Sequence, residues 1–103
     1  MATRLDAILD LTRTRPSDPF AWYALAMEYR TAGRAADAED VFRRLMRDFS
    51  DYVPTYLMAG QFFAEAGRAG DAREALSLGR EAATRMGNAH ARGEIEALLA
   101  SLE

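Results

Sequence analysis

His90 is the only histidine of the chain, and neither cysteine nor lysine occurs in it. That composition excludes disulfides, thiol nucleophiles, zinc–thiolate sites and iron–sulfur clusters, and with them Schiff-base and P-loop lysines. His90 has no second histidine or serine at a spacing that would build a metal site or a nucleophile–base pair, so it reads as a surface residue of a terminal helix. The carboxylate pairs Asp37/Glu39 and Glu94/Glu96 are two residues apart. On a helix that spacing points the two groups to different sides, which does not make an acid–base pair. No strand precedes Gly60, Gly67, Gly70 or Gly79, so they read as packing and turn glycines rather than a phosphate cradle. Trp22, Tyr29, Phe42 and Phe63 read as wedges in a core, not as a cofactor box. No residue is assigned a catalytic, metal-binding or cofactor-binding role. The expectation is a protein that is not an enzyme and takes no cofactor.

Charge narrows the partners. The 13 basic residues are all arginine, against 16 acidic ones, for a formal net charge of −3. Nucleic-acid affinity comes mainly from neutralising phosphates, so no nucleic-acid partner is expected. Arg43, Arg44 and Arg47 are the densest basic group. They alternate with Asp40 and Asp48, which reads as a solvated helix face. Apolar residues make up 50% of the chain and charged residues 28%, a globular balance. With 103 residues the expectation is a single domain, 1–103. No apolar run approaches a membrane span and no signal-peptide pattern follows Met1. No membrane association is expected, and the expected location is the cytoplasm.

The elements that would carry any function are all helical. Leu5, Ile8 and Leu9 stand at helical spacing in a first segment, 3–15, which Pro16 ends. Ser17 or Asp18 can cap a second helix with Pro19 in its first turn and Trp22, Leu25, Ala26 and Tyr29 on one face. Gly33 stops it. Ala38, Val41, Phe42 and Leu45 form the stripe of a third helix. Pro54 opens a fourth, with Tyr56, Ala59, Gly60 and Phe63, ending at Gly67. The fifth carries Ala72, Ala75, Leu76 and Gly79 and breaks at Gly87-Asn88. A last helix, 88–102, places Ile95, Leu98, Leu99 and Leu102 on one face, with Glu94, Glu96 and Glu103 facing out.

The chain also repeats itself. Ala32-Gly33-Arg34-Ala35-Ala36-Asp37-Ala38 recurs 34 residues later as Ala66-Gly67-Arg68-Ala69-Gly70-Asp71-Ala72, with six of seven residues identical. The same offset maps Trp22 onto Tyr56, Leu25 onto Ala59, Ala26 onto Gly60, Tyr29 onto Phe63 and Phe42 onto Leu76. Projected backwards, it maps Phe42 onto Ile8, so the first helix corresponds to the second half of a repeat. In this period and in Trp22, Leu25, Ala26, Tyr29, Ala38 and Phe42, the chain resembles the tetratricopeptide repeats, whose pattern is W-x₂-L-G-x₂-Y followed by A-x₃-F. Leu76 stands in for the aromatic of the second copy. Ser50 and Thr84 replace the repeat-end proline.

The resemblance implies an all-α, right-handed α-α superhelix, a solenoid. Two full repeats, 19–52 and 53–86, are flanked by a half-repeat helix and a capping helix. Small residues should let the paired helices approach, Ala26 against Ala38 and Gly60 against Ala72. It further implies a non-catalytic adaptor or scaffold that binds a peptide or helix of a protein partner on its concave face. The residues placed there by the resemblance are Phe20, Tyr23, Met27, Arg30 and Thr31 from the first repeat. Leu57, Met58, Gln61, Ala64 and Glu65 are supplied by the second. Tyr23 and Met27 occupy positions where chaperone-tail binders of the family carry lysine and asparagine, which argues against that ligand. The alternative function is structural assembly by homo-oligomerisation through the terminal helices.

Overall fold

The computed structural model describes residues 1–102 and contains six helices, with no strand among the described residues. Glu103, expected to face solvent, lies outside them. The helices are α1 (Arg4–Thr14), α2 (Pro19–Thr31), α3 (Ala35–Asp48), α4 (Pro54–Glu65), α5 (Ala69–Arg85) and α6 (Ala89–Ser101). They form two compact units that divide between Phe49 and Ser50.

In the first unit α2 packs against both α1 and α3. Local chemistry sets the boundaries. Thr3 and Asp6 make a reciprocal capping box at the start of α1, which satisfies amides that the helix leaves orphaned. Of the two expected caps, Ser17 and Asp18, it is Asp18 that accepts the Phe20 N–H at 2.9 Å, and Pro19 occupies the first turn. The core is Ala21, Leu25, Ala26, Ala38, Val41, Phe42 and Leu45. Fully burying a side chain such as Phe42 or Leu45 contributes about 1.5–3 kcal/mol each. Trp22 and Tyr29 are only half-buried, so they wedge the edge of this core rather than its centre. Leu9, expected on the buried face of α1, is exposed; Leu5, Ile8 and Leu11 are half-buried, and Thr12 is the buried residue of that helix.

In the second unit α5 packs against α4 and α6, and α6 also touches α4. Tyr56, Ala59, Phe63, Ala72, Ala75, Leu76, Ala82, Ala83 and Ile95 are buried. Two helix-interior glycines permit this. A Cβ on Gly60 would lie 2.4 Å from Leu76 Cδ2. The nearest neighbour of Gly60 is thus Leu76, one turn beyond the expected Ala72, because the helix that lacks a side chain accommodates a large one from its partner. A Cβ on Gly79 would lie 2.3 Å from Tyr56 Cβ and 3.1 Å from Ile95 Cδ1. Gly70 is different from what its sequence position suggested. It is exposed, its φ is not positive, and nothing stands within 4 Å of an added Cβ, so it is neither a packing nor a turn glycine. Of the apolar stripe on α6, Ile95 is fully buried while Leu98, Leu99 and Leu102 are half-exposed.

The repeated heptapeptide builds the same clasp in both units. Gly33 and Gly67 share a φ of 75°, which the αL turn after α2 and α4 requires. The following arginine N–H then reaches back to a carbonyl of the preceding helix, Arg34 to Tyr29 and Arg68 to Phe63, each at 2.9 Å. Its guanidinium lies over the ring of that same residue, 4.8 Å from Tyr29 and 4.9 Å from Phe63. Its Nε donates to the first-turn aspartate of the next helix, Asp37 at 2.8 Å and Asp71 at 2.9 Å. One arginine therefore ties the end of one helix to the start of the next by charge and by cation–π contact.

Candidate functional site

The expected contact residues of the first repeat lie on α2, whose inward side is fixed by Ala21, Leu25 and Ala26. Phe20, Tyr23, Ala24, Met27, Glu28 and Thr31 recur at helical spacing on another side of it, and they wall a groove with Arg4 and Ile8 of α1. Its volume is about 190 Å³. Four of the five residues expected here, Phe20, Tyr23, Met27 and Thr31, are brought together. The fifth, Arg30, is half-buried outside the groove wall. It remains close enough to Tyr23 to affect its phenol: burial pushes the Tyr23 pKa above its ordinary value, and the positive charge of Arg30 pulls partly against that rise. Phe20 keeps 58% of its surface exposed, and it stands beside Tyr23 and Met27 on the same groove wall.

Sequence reasoning missed Arg4, Ile8, Ala24 and Glu28. The α2 members could have been found by extending the helical spacing from Phe20 through Ala24 to Glu28. The α1 members depend on tertiary packing of the half repeat. Across the groove Arg4 Nε stands 2.9 Å from Glu28 Oε2.

On α4 the expected contact residues Leu57, Met58, Gln61 and Ala64 are half-buried and Glu65 is exposed. The basic cluster of α3 is more than a solvated face. Arg43 pairs with Glu39 at 2.9 Å and Arg47 with Asp48 at 2.9 Å, while Arg44 covers the Trp22 ring at 4.0 Å. His90 is exposed and stands 3.0 Å from Glu94 on α6, an ordinary i,i+4 surface contact. Among the described residues no three histidine or acidic side chains cluster as a metal site would require, and no helix is long and apolar enough to cross a membrane.

Comparison with known proteins agrees with this architecture. A tetratricopeptide repeat family model matches residues 19–62. The solution structure of a tetratricopeptide repeat domain protein from Salinibacter ruber is 32% identical, with a TM-score of 0.80 over 85% of this chain and 89% of that one. The crystal structure of such a domain protein from the same organism is 30% identical, with a TM-score of 0.77 over 82% of this chain and 96% of that one. A protein from Bordetella parapertussis shares the fold at 18% identity, with a TM-score of 0.80 over 99% of this chain and 89% of that one. No curated protein matches. Repeats of this type generally mediate protein–protein contacts and are non-catalytic. The chain belongs to the tetratricopeptide repeat family.

Proposed function

We propose that the chain is a non-catalytic interaction module that holds a segment of a protein partner on the outward face of α2. Phe20, Tyr23, Met27, Arg30 and Thr31 are the contacts on that helix, with Leu57, Met58, Gln61 and Glu65 on α4 as further contacts. The observation that carries this reading is Phe20. It is a large aromatic left in solvent at the rim of a groove whose other walls include Tyr23 and Met27. Aromatic and methionine side chains bordering a concave, partly apolar surface suit the apolar anchors of a peptide or helix. Self-association through the terminal helices has less support. Leu9, Leu78 and Met86 are the exposed large aliphatic side chains of α1, α5 and its C-cap, and such residues scattered singly are normal on a protein surface.

Random peptides displayed on phage and selected on the whole chain supply the probe. Selected peptides should lose about fivefold or more in affinity on Tyr23→Ala or Met27→Ala, the threshold of about 1 kcal/mol that marks an anchoring residue. Far-UV circular dichroism should show both variants folded. Peptides that bind these variants as tightly as the unaltered chain would remove the α2 face from consideration.

A further inference from the structure

The wall that α1 gives to the groove has a counterpart in the second unit. Twice the 34-residue period carries Arg4 onto Ala72, Ile8 onto Leu76, Leu11 onto Gly79 and Met27 onto Ile95. On α5 those positions are the seat of α4: Leu76 is the nearest neighbour of Gly60, and Gly79 lies against Tyr56 and Ile95. Ala72, Leu76 and Ile95 are fully buried. In the first unit α1 packs on α2, and no helix of that unit holds the place that α4 has on α5. Ile8, Leu11 and Met27 accordingly stay half-buried, and Arg4 is exposed. The groove is thus the counterpart of a seat that a helix covers in the second unit.

We infer that the occupant of this groove is an α-helix of a protein partner that lies on α1 as α4 lies on α5, with a small residue over Ile8 and an acidic one at Arg4. The inference rests on the proposed binding role of the α2 face. A helix satisfies its own backbone, whereas an extended segment sets unpaired N–H and C=O groups against Ile8 and Met27. The side chains it needs follow from α4. Tyr56 meets Gly79 and Gly60 meets Leu76, so the pair runs antiparallel, and at helical rise Phe63 comes level with Ala72. Those are positions i, i+4 and i+7 of the covering helix, and on α1 they face Leu11, Ile8 and Arg4. Leu11 stands where α5 has glycine, so position i takes an aliphatic side chain rather than an aromatic ring. Ile8 stands where α5 has Leu76, so i+4 takes glycine or alanine, as α4 does with Gly60. Arg4 stands where α5 has alanine, and its side chain is 81% exposed although its Nε is 2.9 Å from Glu28. A guanidinium has more donors than one carboxylate can take, so Glu or Asp at i+7 pairs with Arg4 and leaves Glu28 its partner. Covering Ile8, Leu11 and Met27 supplies the gain.

Four pools of synthetic peptides test this. Three share a helical frame, held by a side-chain bridge on its outer face and randomised among aliphatic residues at i. They carry Ala at i+4 with Glu at i+7, Ala with Gln, or Leu with Glu. The fourth has the composition of the first with proline in mid-sequence, which breaks the helix. Retention is measured on the immobilised whole chain and on its Arg4→Gln and Tyr23→Ala variants, each checked for helicity. The Ala/Glu pool should be retained most. It should exceed the Ala/Gln pool about two- to fivefold, the range open to a surface ion pair, and Arg4→Gln should bring the two level. It should exceed the Leu/Glu pool about fivefold or more through overpacking on Ile8, and the proline pool by a similar factor. A proline pool retained as well as the helical ones, Ala and Leu pools retained equally, or a Glu preference that is absent or survives Arg4→Gln would overturn the inference. So would a chain that dimerises in sedimentation and is returned to monomer by Arg4→Gln, since a second copy would then be the occupant. Any of these results with retention that still falls in Tyr23→Ala would leave the α2 face standing as a binding surface without the helical occupant. No retention of any pool, or retention indifferent to Tyr23→Ala, would take down both.

Discussion

Gly79 sits where α5 meets α4 and α6, and adding one methyl group there should loosen all three helices. The Cβ of Gly79→Ala would lie 2.3 Å from Tyr56 Cβ, 2.9 Å from Tyr56 Cγ and 3.1 Å from Ile95 Cδ1. Carbon atoms rest at about 3.5–4.0 Å, so the first contact is too short by about 1.2 Å or more. Rotating Tyr56 does not relieve it, because its Cβ is bonded directly to the α4 backbone. That backbone is also tied down, since the Tyr56 hydroxyl donates to the Ser50 carbonyl at 2.6 Å. Ile95, on the other side, is fully buried. Alanine in place of a helix-interior glycine would by itself stabilise by about 1 kcal/mol. Overpacking of a close-packed core costs about 1–3 kcal/mol, occasionally more. Because the clash falls on atoms next to the backbone, the upper end applies, and the net loss should be about 1–2 kcal/mol.

Gly70→Ala, on the same helix, is the matched control. No atom stands within 4 Å and φ is not positive, so only the backbone-entropy gain of about 0.5–1 kcal/mol remains. Gly60→Ala should fall between the two, since its clash is with the rotatable end of Leu76. Urea unfolding of the whole chain at 25 °C, followed by far-UV circular dichroism, gives the ordering. A Gly79→Ala protein as stable as the parent, or a Gly70→Ala protein that loses stability, would refute the packing argument.

Two further outcomes follow from polar groups. Asp6 accepts the Thr3 backbone N–H at 3.0 Å, and its own N–H donates to Thr3 Oγ1 at 3.1 Å. Those bonds, the backbone one foremost, hold the Asp6 pKa below its ordinary 3.8. A depressed carboxylate stabilises the fold above its unfolded pKa, and that contribution disappears as pH falls through the lower folded value. The Thr3 amide resonance should therefore titrate with a midpoint below 3.8; a midpoint at or above it would contradict the capping box. Thr55 is fully buried and its Oγ1 has no hydrogen-bond partner. Thr55→Val keeps the side-chain shape and removes the orphaned hydroxyl, so stability in urea should rise by about 1 kcal/mol, and a fall would show that the hydroxyl is satisfied.

Much of the fold was legible because it is written in local signals. Asp18-Pro19, Gly33, Gly67 and Gly87 set helix ends through capping and αL geometry that depend on a few neighbouring residues. The 34-residue period then identified which helices pair. What stayed hidden depends on contacts across helices. Periodicity put Leu9 and Leu98 on apolar faces, but exposure is decided by which neighbouring helix reaches them. It matched Gly60 with Ala72 by their small size, whereas the packed side chain is Leu76. The candidate site divides the same way. The α2 residues were marked by the repeat register, while Arg4 and Ile8 joined the groove only through the packing of α1 on α2.

The two repeats also show what the period conserves physically. Trp22 and Tyr56 are equivalent positions with different chemistry. Trp22 Nε1–H donates to the Pro16 carbonyl at 2.9 Å, and the Tyr56 hydroxyl donates to the Ser50 carbonyl at 2.6 Å. In each case an aromatic body fills space beside the helix while its polar tip closes on a carbonyl six residues earlier. That carbonyl belongs to the segment leading into the helix, so one side chain fixes both the packing and the angle at which the chain arrives. The outer cover differs between the copies, with Arg44 stacked on Trp22 and Arg85 reaching Ser50 and Asp51. The constraint at this position is therefore a flat side chain with a donor at its far end. This explains how the chain keeps the repeat geometry with Tyr56 where the first copy has tryptophan. At the next equivalent position stands His90, whose ring is exposed and turned to Glu94 of its own helix at 3.0 Å, so it is spent on a contact within α6 rather than on the segment leading into it.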